Sequence, residues 1–212
     1  GRPQWRVICG GSKRYVEALT KTFMKKIHTN SPVKSICRKD KFVKVSMDNK
    51  PDEYFDKVII ATHSDQALEL ISDPSPQEKE ILGSIRYQKN ETILHTDSQL
   101  LPRSKRSWAS WNYFLPRQNH NSPTVTYNMN ILQGLKSPVP FCVSLNRQNE
   151  IDESTILKHI TYHHPVYDLS TLSAQSKRHE INGTNHTYFC GAYWGYGFHE
   201  DGARSGFEVA NA

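Results

Sequence analysis

The chain has 212 residues, a formal net charge of +6, 36% hydrophobic and 10% aromatic residues. That composition belongs to an ordered globular protein and excludes a disordered chain. No apolar run approaches the roughly 20 residues of a membrane-spanning helix, and no signal-peptide pattern opens the sequence. A chain of this length can build one generous domain or two small ones.

The basic residues fall in short clusters, Lys13-Arg14, Lys25-Lys26 and Arg103 to Arg106, without a stacking module or base-reading motif. They read as solvated faces, so no nucleic-acid partner is expected; a protein that binds a pyrophosphate cofactor would carry similar charge. Cys9, Cys37, Cys142 and Cys190 form no CxxC pair, which predicts free thiols and a reducing, cytoplasmic location. Without a secretion signal, the glycosylation-like triplets at Asn90, Asn182 and Asn185 carry no weight.

Along the chain, Gly10-Gly11 make a turn and Ser12 can cap a helix in which Val16, Leu19, Phe23 and Ile27 recur at helical spacing. SPVKSICR and KFVKVSMD alternate as the strands of a hairpin. Phe55 to Thr62 is a short apolar strand suited to the buried middle of a sheet. A helix follows from His63 to Ile71 with Ser64 as its cap, and a second from Ser75-Pro76 to Leu82.

Short β-rich segments then succeed one another: Ile85 to Tyr87, Glu91 to His95, Ser107 to Tyr113, Thr124 to Met129 and Phe141 to Leu145. Turns are expected at Pro102, Pro116, Asn119 to Pro123, and Ser137 to Pro140, and the whole reads as an antiparallel sheet. Ile156 to Tyr162 suits a helix or a strand. Thr187 to Ala192 is a strand entering a turn with Gly191, Gly195 and Gly197, and Gly202 to Ala210 is a closing helix.

Two segments carry candidate chemistry. In FDKVIIATHSDQAL a strand ends in Ala61, Thr62 and His63 before a helix, and ligands of open α/β sheets bind outside such carboxyl ends. An ordinary strand-to-helix turn would look the same. In YFCGAYWGYGFHEDGARSGFEVA a strand leads through glycines into a helix start, where unpaired N–H groups favour electron-rich ligands. Glu200 and Asp201, just before Gly202, can accept hydrogen bonds from ligand hydroxyls.

Both segments resemble the flavin-containing amine oxidase superfamily, along nearly the whole chain. The likeness rests on the early GG turn and helix, Val33 in SPVKSI, the D-x-V-I-x-A strand at Asp56 to Ala61, and GA-x-x-SG-x-x-x-A from Gly202 to Ala210. GGSKRYV, ATHSDQAL, LHTD, WASWNY and GFHEDGARSG are similar to a bacterial-type branch of predicted NAD/FAD-binding proteins. The resemblance implies an α/β (α+β) fold, part of a two-domain FAD-linked oxidoreductase, with a mixed sheet plus an antiparallel substrate-domain sheet. Residues 1–66 and 182–212 would belong to the FAD-binding domain, and 67–181 to the substrate domain. It also implies noncovalent FAD, with Val33 at the adenine through its backbone. Ala61, Thr62, His63, Gly191, Tyr193, Glu200, Asp201, Gly202 and Ala203 complete the expected cofactor set.

The pattern departs from the family in three places. No GxGxxG occurs, so the chain is expected to be a fragment that binds FAD weakly or not at all. Gly191-Ala192 replaces the usual G-E pair, and no cysteine stands where a covalent flavin link is expected. For the small-molecule substrate, His95, Trp108, Trp111 and Asn112 are the pocket candidates, while Tyr193 and Trp194 could wall the flavin. Core aromatics would explain the tryptophans equally well, and Lys89 is a candidate for the family's flavin-side lysine. His159, His163 and His164 have metal-like spacing only in a helix that Pro165 would cut, so no metal is expected. The competing reading is a non-enzymatic module that binds a ligand or a protein on a degenerate flavoprotein scaffold. Catalytic residues and oligomeric state are left open.

Overall fold

The computed structural model describes residue 4 and residues 6–115 and 124–212; the turns expected at Pro116 and Asn119–Pro123 lie outside these. The elements run α1 (Ser12–Thr20), β1 (Val33–Arg38), β2 (Val43–Met47), β3 (Glu53–Phe55), β4 (Val58–Ile60), α2 (Ser64–Leu70), α3 (Pro76–Gly83) and β5 (Tyr87–His95). They continue as β6 (Trp111–Phe114), β7 (Thr124–Asn128), α4 (Met129–Gln133), β8 (Cys142–Leu145), β9 (Ile156–Pro165), α5 (Leu169–Ser176), α6 (Arg178–Ile181), β10 (Thr187–Phe189) and α7 (His199–Ala210). The mixture of helices with antiparallel and parallel strands agrees with the α/β (α+β) class.

Several elements depart from expectation. The first helix stops at Thr20, with Gly11 rather than Ser12 at its N-cap, and a 3-10 turn follows at Met24–Lys26. None of its residues is fully buried, and a short helix gains little from propensity alone. Phe55 to Thr62 is split, with Glu53–Phe55 and Val58–Ile60 in different sheets. His63, not Ser64, precedes the first turn of α2, and Gln66 Oε1 accepts from the His63 N–H at 3.3 Å. Ile156–Pro165 is a strand. His159 and His163 therefore stand about 13 Å apart along it, at roughly 3.3 Å per residue, too far to share a metal. Helices α4, α5 and α6 were not anticipated.

Two compact units emerge. One comprises His28–Gln88 and His164–Ala212. It holds the antiparallel sheet β1-β2-β3, the two-stranded parallel sheet β10-β4, and helices α2, α3, α5, α6 and α7. Its core gathers Ile36, Val43, Ile60, Ala67, Ile81, Leu82, Ala174, Ile181 and Phe189. The sequence-based divisions fall within α2 at 66/67 and directly after α6 at 181/182.

A buried ionic network braces this unit. Arg38, at the end of β1, donates from Nη1 and Nη2 to the two Glu78 carboxylate oxygens at 2.8 Å each. Its Nε donates to Asp73 Oδ1 at 3.0 Å. The Arg38 and Glu78 side chains are 2% and 0% exposed. Glu78 also accepts from the Ser75 N–H, while Ser75 Oγ accepts from the Glu78 N–H, a reciprocal cap that opens α3 where the sequence predicts it. Burial alone would raise the Glu78 pKa, but Arg38 and Ser75 outweigh it and hold the carboxyl below its usual value.

The other unit comprises the described residues up to Ile27 and Lys89–His163. It holds the five-stranded sheet β6-β7-β8-β5-β9, whose resolved pairs β5-β8, β6-β7 and β7-β8 are all antiparallel. Here the expected antiparallel sheet is present, with Ile85–Tyr87 and Glu91–His95 largely merged into one strand, β5.

Candidate cofactor site and the substrate-domain sheet

Parallel pairing sets the first site. β4 and β10 lie side by side with Val58 opposite Thr187, Tyr188 opposite Ile59 and Phe189 opposite Ile60, and the Cys190 N–H donates to the Ile60 carbonyl at 3.1 Å. The chain therefore leaves both strands at the same end, Ala61-Thr62-His63 from one and Gly191-Ala192-Tyr193 from the other. Two segments about 130 residues apart in sequence, chosen for the same cofactor, meet at the carboxyl edge of adjacent strands.

Glycines make the return from β10 tight. A Cβ on Gly191 would lie 2.4 Å from Cε1 of the Tyr193 ring, and one on Gly195 would lie 2.5 Å from the Asp201 carboxylate. Gln175 Nε2 donates to the carbonyls of Tyr193 and Gly195 at 2.8 Å each, fixing the turn on α5. Ser205 Oγ accepts from the Gly191 N–H at 2.9 Å and donates within α7, so the first half of α7 is tied to the end of β10. A Cβ on Gly202 would sit 3.7 Å from the Ala192 Cβ, showing how closely the first turn of α7 approaches the strand end.

The expected cofactor residues divide by what else they do. Ala61, Glu200 and Ala203 are exposed, while Thr62, His63, Gly191 and Gly202 are half-buried. His63 stacks on Tyr87 with ring centroids 4.4 Å apart, and the Tyr87 hydroxyl accepts from the Ser64 N–H at 3.0 Å. Asp201 is spent on the turn itself: its Oδ2 accepts from the N–H groups of Tyr196 and Phe198 at 3.0 and 3.1 Å. Glu200 is left as the exposed acid of the pair. Tyr193 is 4% exposed and belongs to the core, its ring 4.9 Å from that of Trp194, and burial pushes its phenol far above the usual value. Val33 begins β1 in the separate three-stranded sheet, opposite Met47, with a register shift just after it.

The five-stranded sheet sorts the pocket candidates onto different faces. The register places Thr126 opposite Ser144 and Asn128 opposite Cys142, and His95 opposite Cys142, on one face. That face is buried: His95 Nε2 pairs with Ser144 Oγ at 2.9 Å, and Ser144 Oγ with Thr126 Oγ1 at 2.7 Å. His95 is 0% exposed, and burial, only partly offset by Asp97, lowers its pKa. Burial likewise pushes the Cys142 thiol up to about 11. Asn112 braces a turn, its Oδ1 accepting from the Ala109 N–H and its Nδ2 donating to the carbonyls of Ala109 and Thr126. Trp108 is half-buried in a loop and donates from Nε1 to the Pro102 carbonyl at 2.8 Å.

Trp111 alone of the four lies on the opposite face, edge-on to Tyr127 with centroids 5.7 Å apart. Lys89 is engaged by Glu91 at 2.8 Å. Sequence reasoning missed the division of the sheet, although strict alternation in TVTYN and CVSL carries it once the register is known.

Among the described residues no helix is long and apolar enough to cross a membrane, and no group of three or more His, Cys, Asp or Glu is placed to hold a metal ion. No curated protein matches the chain. Among solved structures it is similar to the CLA-producing fatty acid isomerase from P. acnes, at 14% identity and a TM-score of 0.60, over 95% of this chain and 52% of that one. It is also similar to wild-type putrescine oxidase bound to putrescine, at 10% identity and a TM-score of 0.62, over 96% and 53% of the two chains. Cyclohexylamine oxidase from Brevibacterium oxydans IH-35A matches at 10% identity and a TM-score of 0.57, over 95% and 52%. The chain thus spans about half the length of these proteins and shares their fold. The model of the flavin containing amine oxidoreductases matches residues 1–125, more than half of the chain, which therefore belongs to that family.

Proposed function

We propose that the protein containing this chain is an FAD-dependent oxidoreductase of the amine-oxidase type, acting on a C–N or C–C bond of a small molecule with noncovalently held flavin. The observation that carries this reading is the convergence of Ala61-Thr62-His63 and Gly191-Ala192 at the ends of two adjacent parallel strands, with α7 tied there by Ser205. The residues present fit a flavin: small side chains at Ala61 and Ala203 are exposed and permit close approach, Gly202 lets the first turn of α7 approach the strand end, and Glu200 is exposed to accept from ribityl-type hydroxyls. Asp201 supports the same turn from within, and Val33 offers backbone groups at the start of β1 for the adenine.

When bound, the flavin supplies two-electron, hydride-accepting chemistry; the protein orients the substrate and excludes water. His95 is fully buried and engaged by Ser144, so no proton transfer is assigned to it. No side chain is assigned as catalytic base. The four free cysteines suit a cytoplasmic protein. The residues described here hold no glycine-rich pyrophosphate loop, so this segment alone should bind FAD weakly and be inactive.

The test is to purify the product of the longest reading frame containing this sequence and record its visible spectrum before and after denaturation. Yellow flavin released unmodified is the expected outcome. A colourless protein that ignores added FAD would refute the oxidoreductase reading and leave a ligand-binding scaffold.

A further inference from the structure

We infer that strand β6, with the loop before it and the lobe that follows β7, docks on an anionic lipid surface. The inference stands apart from the flavoenzyme reading, because it rests on charge and exposure within one stretch of the chain.

That stretch, Ser98 to Asn149, contains no Asp or Glu and six Lys and Arg. Its formal charge of +6 equals that of the whole chain, so acids and bases balance everywhere else. Of its described basic residues, Arg147 is buried and paired with Glu150 at 2.6 Å. Arg103, Lys105, Arg106 and Lys136 are exposed and form no ion pair among the described residues. Several lysines elsewhere do reach an acid, as Lys34 reaches Asp48, Lys44 Asp52 and Lys177 Glu80.

The fold gathers these charges beside apolar side chains. Trp108 Nε1 donates to the Pro102 carbonyl at 2.8 Å, and Lys105 Nζ lies 5.8 Å from the Trp108 ring centroid, so the basic loop folds on itself ahead of β6. The Asn128 N–H donates to the Ser110 carbonyl at 2.9 Å, which sets the end of β7 beside the end of that loop. Helix α4 starts there and stops at Gly134, whose φ is 64°. The chain then returns, with Asn130 Nδ2 donating to the Val139 carbonyl at 2.9 Å and Asn130 Oδ1 accepting from the Phe141 N–H at 2.8 Å. The lobe so closed carries Lys136 and exposes Ile131, Leu135 and Val139. Strand β6 adds Tyr113, 66% exposed, and Leu115 follows it at 65%.

Cations without acids, set among aliphatic groups, identify the occupant. Each Lys or Arg held near an anionic leaflet strengthens binding by about fivefold, while apolar neighbours enter the boundary between headgroups and acyl chains. A protein partner fits less well, since lysine is depleted where protein packs on protein. Nucleic acid binds through aromatic shelves for its bases, and Leu115, Ile131, Leu135 and Val139 provide none.

The experiment sediments the full-length protein with vesicles of phosphatidylcholine alone, or with roughly one-third phosphatidylserine. The mixed vesicles should bind at least tenfold more tightly. Raising salt from about 0.1 M to about 1 M, which shortens the screening length from about 10 Å to about 3 Å, should remove that preference. Arg103→Glu, Lys105→Glu and Arg106→Glu combined should weaken binding to the mixed vesicles at least tenfold with unchanged circular dichroism. Lys39→Glu, Lys41→Glu and Lys50→Glu combined, equal in charge and at exposed positions of the other unit, should change it less than threefold. Leu135→Ser should weaken it at least threefold. A protein that ignores the mixed vesicles, binds both kinds alike, or responds equally to the two triple substitutions would overturn the inference. Retention on duplex DNA without vesicle binding would overturn it as well, by making the partner a polyanion with no hydrocarbon phase. The lipid preference and salt response of the unaltered protein decide the question even where a variant does not fold. Flavin absorbance is not read in this assay, so the flavoenzyme proposal stands or falls separately.

Discussion

Replacing Gly191 by alanine tests whether the return from β10 is as tight as the geometry indicates. The new methyl would stand 2.4 Å from Cε1 and 2.7 Å from Cδ1 of Tyr193. Carbon atoms prefer about 3.5–4.0 Å, so ring or backbone must retreat by about 1 Å. Neither has an easy path. The ring is 4% exposed, and Gln175 holds the carbonyls on both sides of Trp194 at 2.8 Å. Moving Gly191 itself would pull on Ser205 and hence on α7. Overpacking of this kind costs about 1–3 kcal/mol, which is roughly 5- to 150-fold in an equilibrium. The assay is FAD titration of the apo full-length protein, followed by flavin fluorescence, beside urea unfolding. Gly191→Ala should raise the FAD dissociation constant at least about fivefold and lower stability by about 1–3 kcal/mol. Gly206→Ala is the control: its Cβ would meet nothing within 4 Å, and alanine in a helix should be neutral or stabilising by up to about 1 kcal/mol. Removing the obstacle with Tyr193→Leu should make the two substitutions non-additive, the second costing less in the presence of the first. If Gly191→Ala binds FAD and unfolds like the parent, the close-packed turn is not what positions α7, and the reasoning fails.

Other expectations are simpler to state. Glu78→Gln should cost about 3–5 kcal/mol in urea unfolding, because it leaves the buried Arg38 guanidinium without its bidentate partner; a loss below 1 kcal/mol would mean that solvent reaches the pair. Because the folded Glu78 pKa is depressed, its stabilisation is present above the unfolded value near 4.3 and is lost as pH falls through the folded value. His95 acts in a different window. Burial lowers its folded pKa, so the unfolded chain takes up the extra proton and stability should decline as pH falls below about 6.5. His95→Gln should remove that slope, read as the pH dependence of the urea midpoint between pH 7 and 5. Asp201→Ala should destabilise by about 1.5–3 kcal/mol through the lost charge-assisted bonds to Tyr196 and Phe198. Glu200→Gln should leave stability unchanged and weaken FAD binding, and equal effects of the two on flavin affinity would contradict their assigned roles.

Local chemistry is what one sequence displays well. Ser75-Pro76 marks the start of α3 because a capping residue, a proline and Glu78 act within one turn, and alternation in SPVKSICR and KFVKVSMD marks β1 and β2 for the same short-range reason. The two candidate cofactor segments were legible for their glycines and small residues, and the family resemblance pointed to both. That they meet is a tertiary fact, since the pairing of Val58 with Thr187 joins residues 129 positions apart. Nothing in the sequence links Arg38 to Glu78; the fold brings β1 and α3 together and excludes water from the pair. Tyr193 and Asp201 carried cofactor expectations on residue type, yet packing directs the first into the core and the second onto two backbone N–H groups. The sharpest division lies in the five-stranded sheet. His95, Trp108, Trp111 and Asn112 looked like one pocket in sequence, but a strand turns successive side chains to opposite faces, and only the register decides which of them share a face. Pattern therefore determined the type of many of the elements and, together with the family resemblance, the segments that matter. Only the tertiary structure decided which side chains within those segments remain free to meet a ligand, because burial and hydrogen bonding depend on partners far away along the chain.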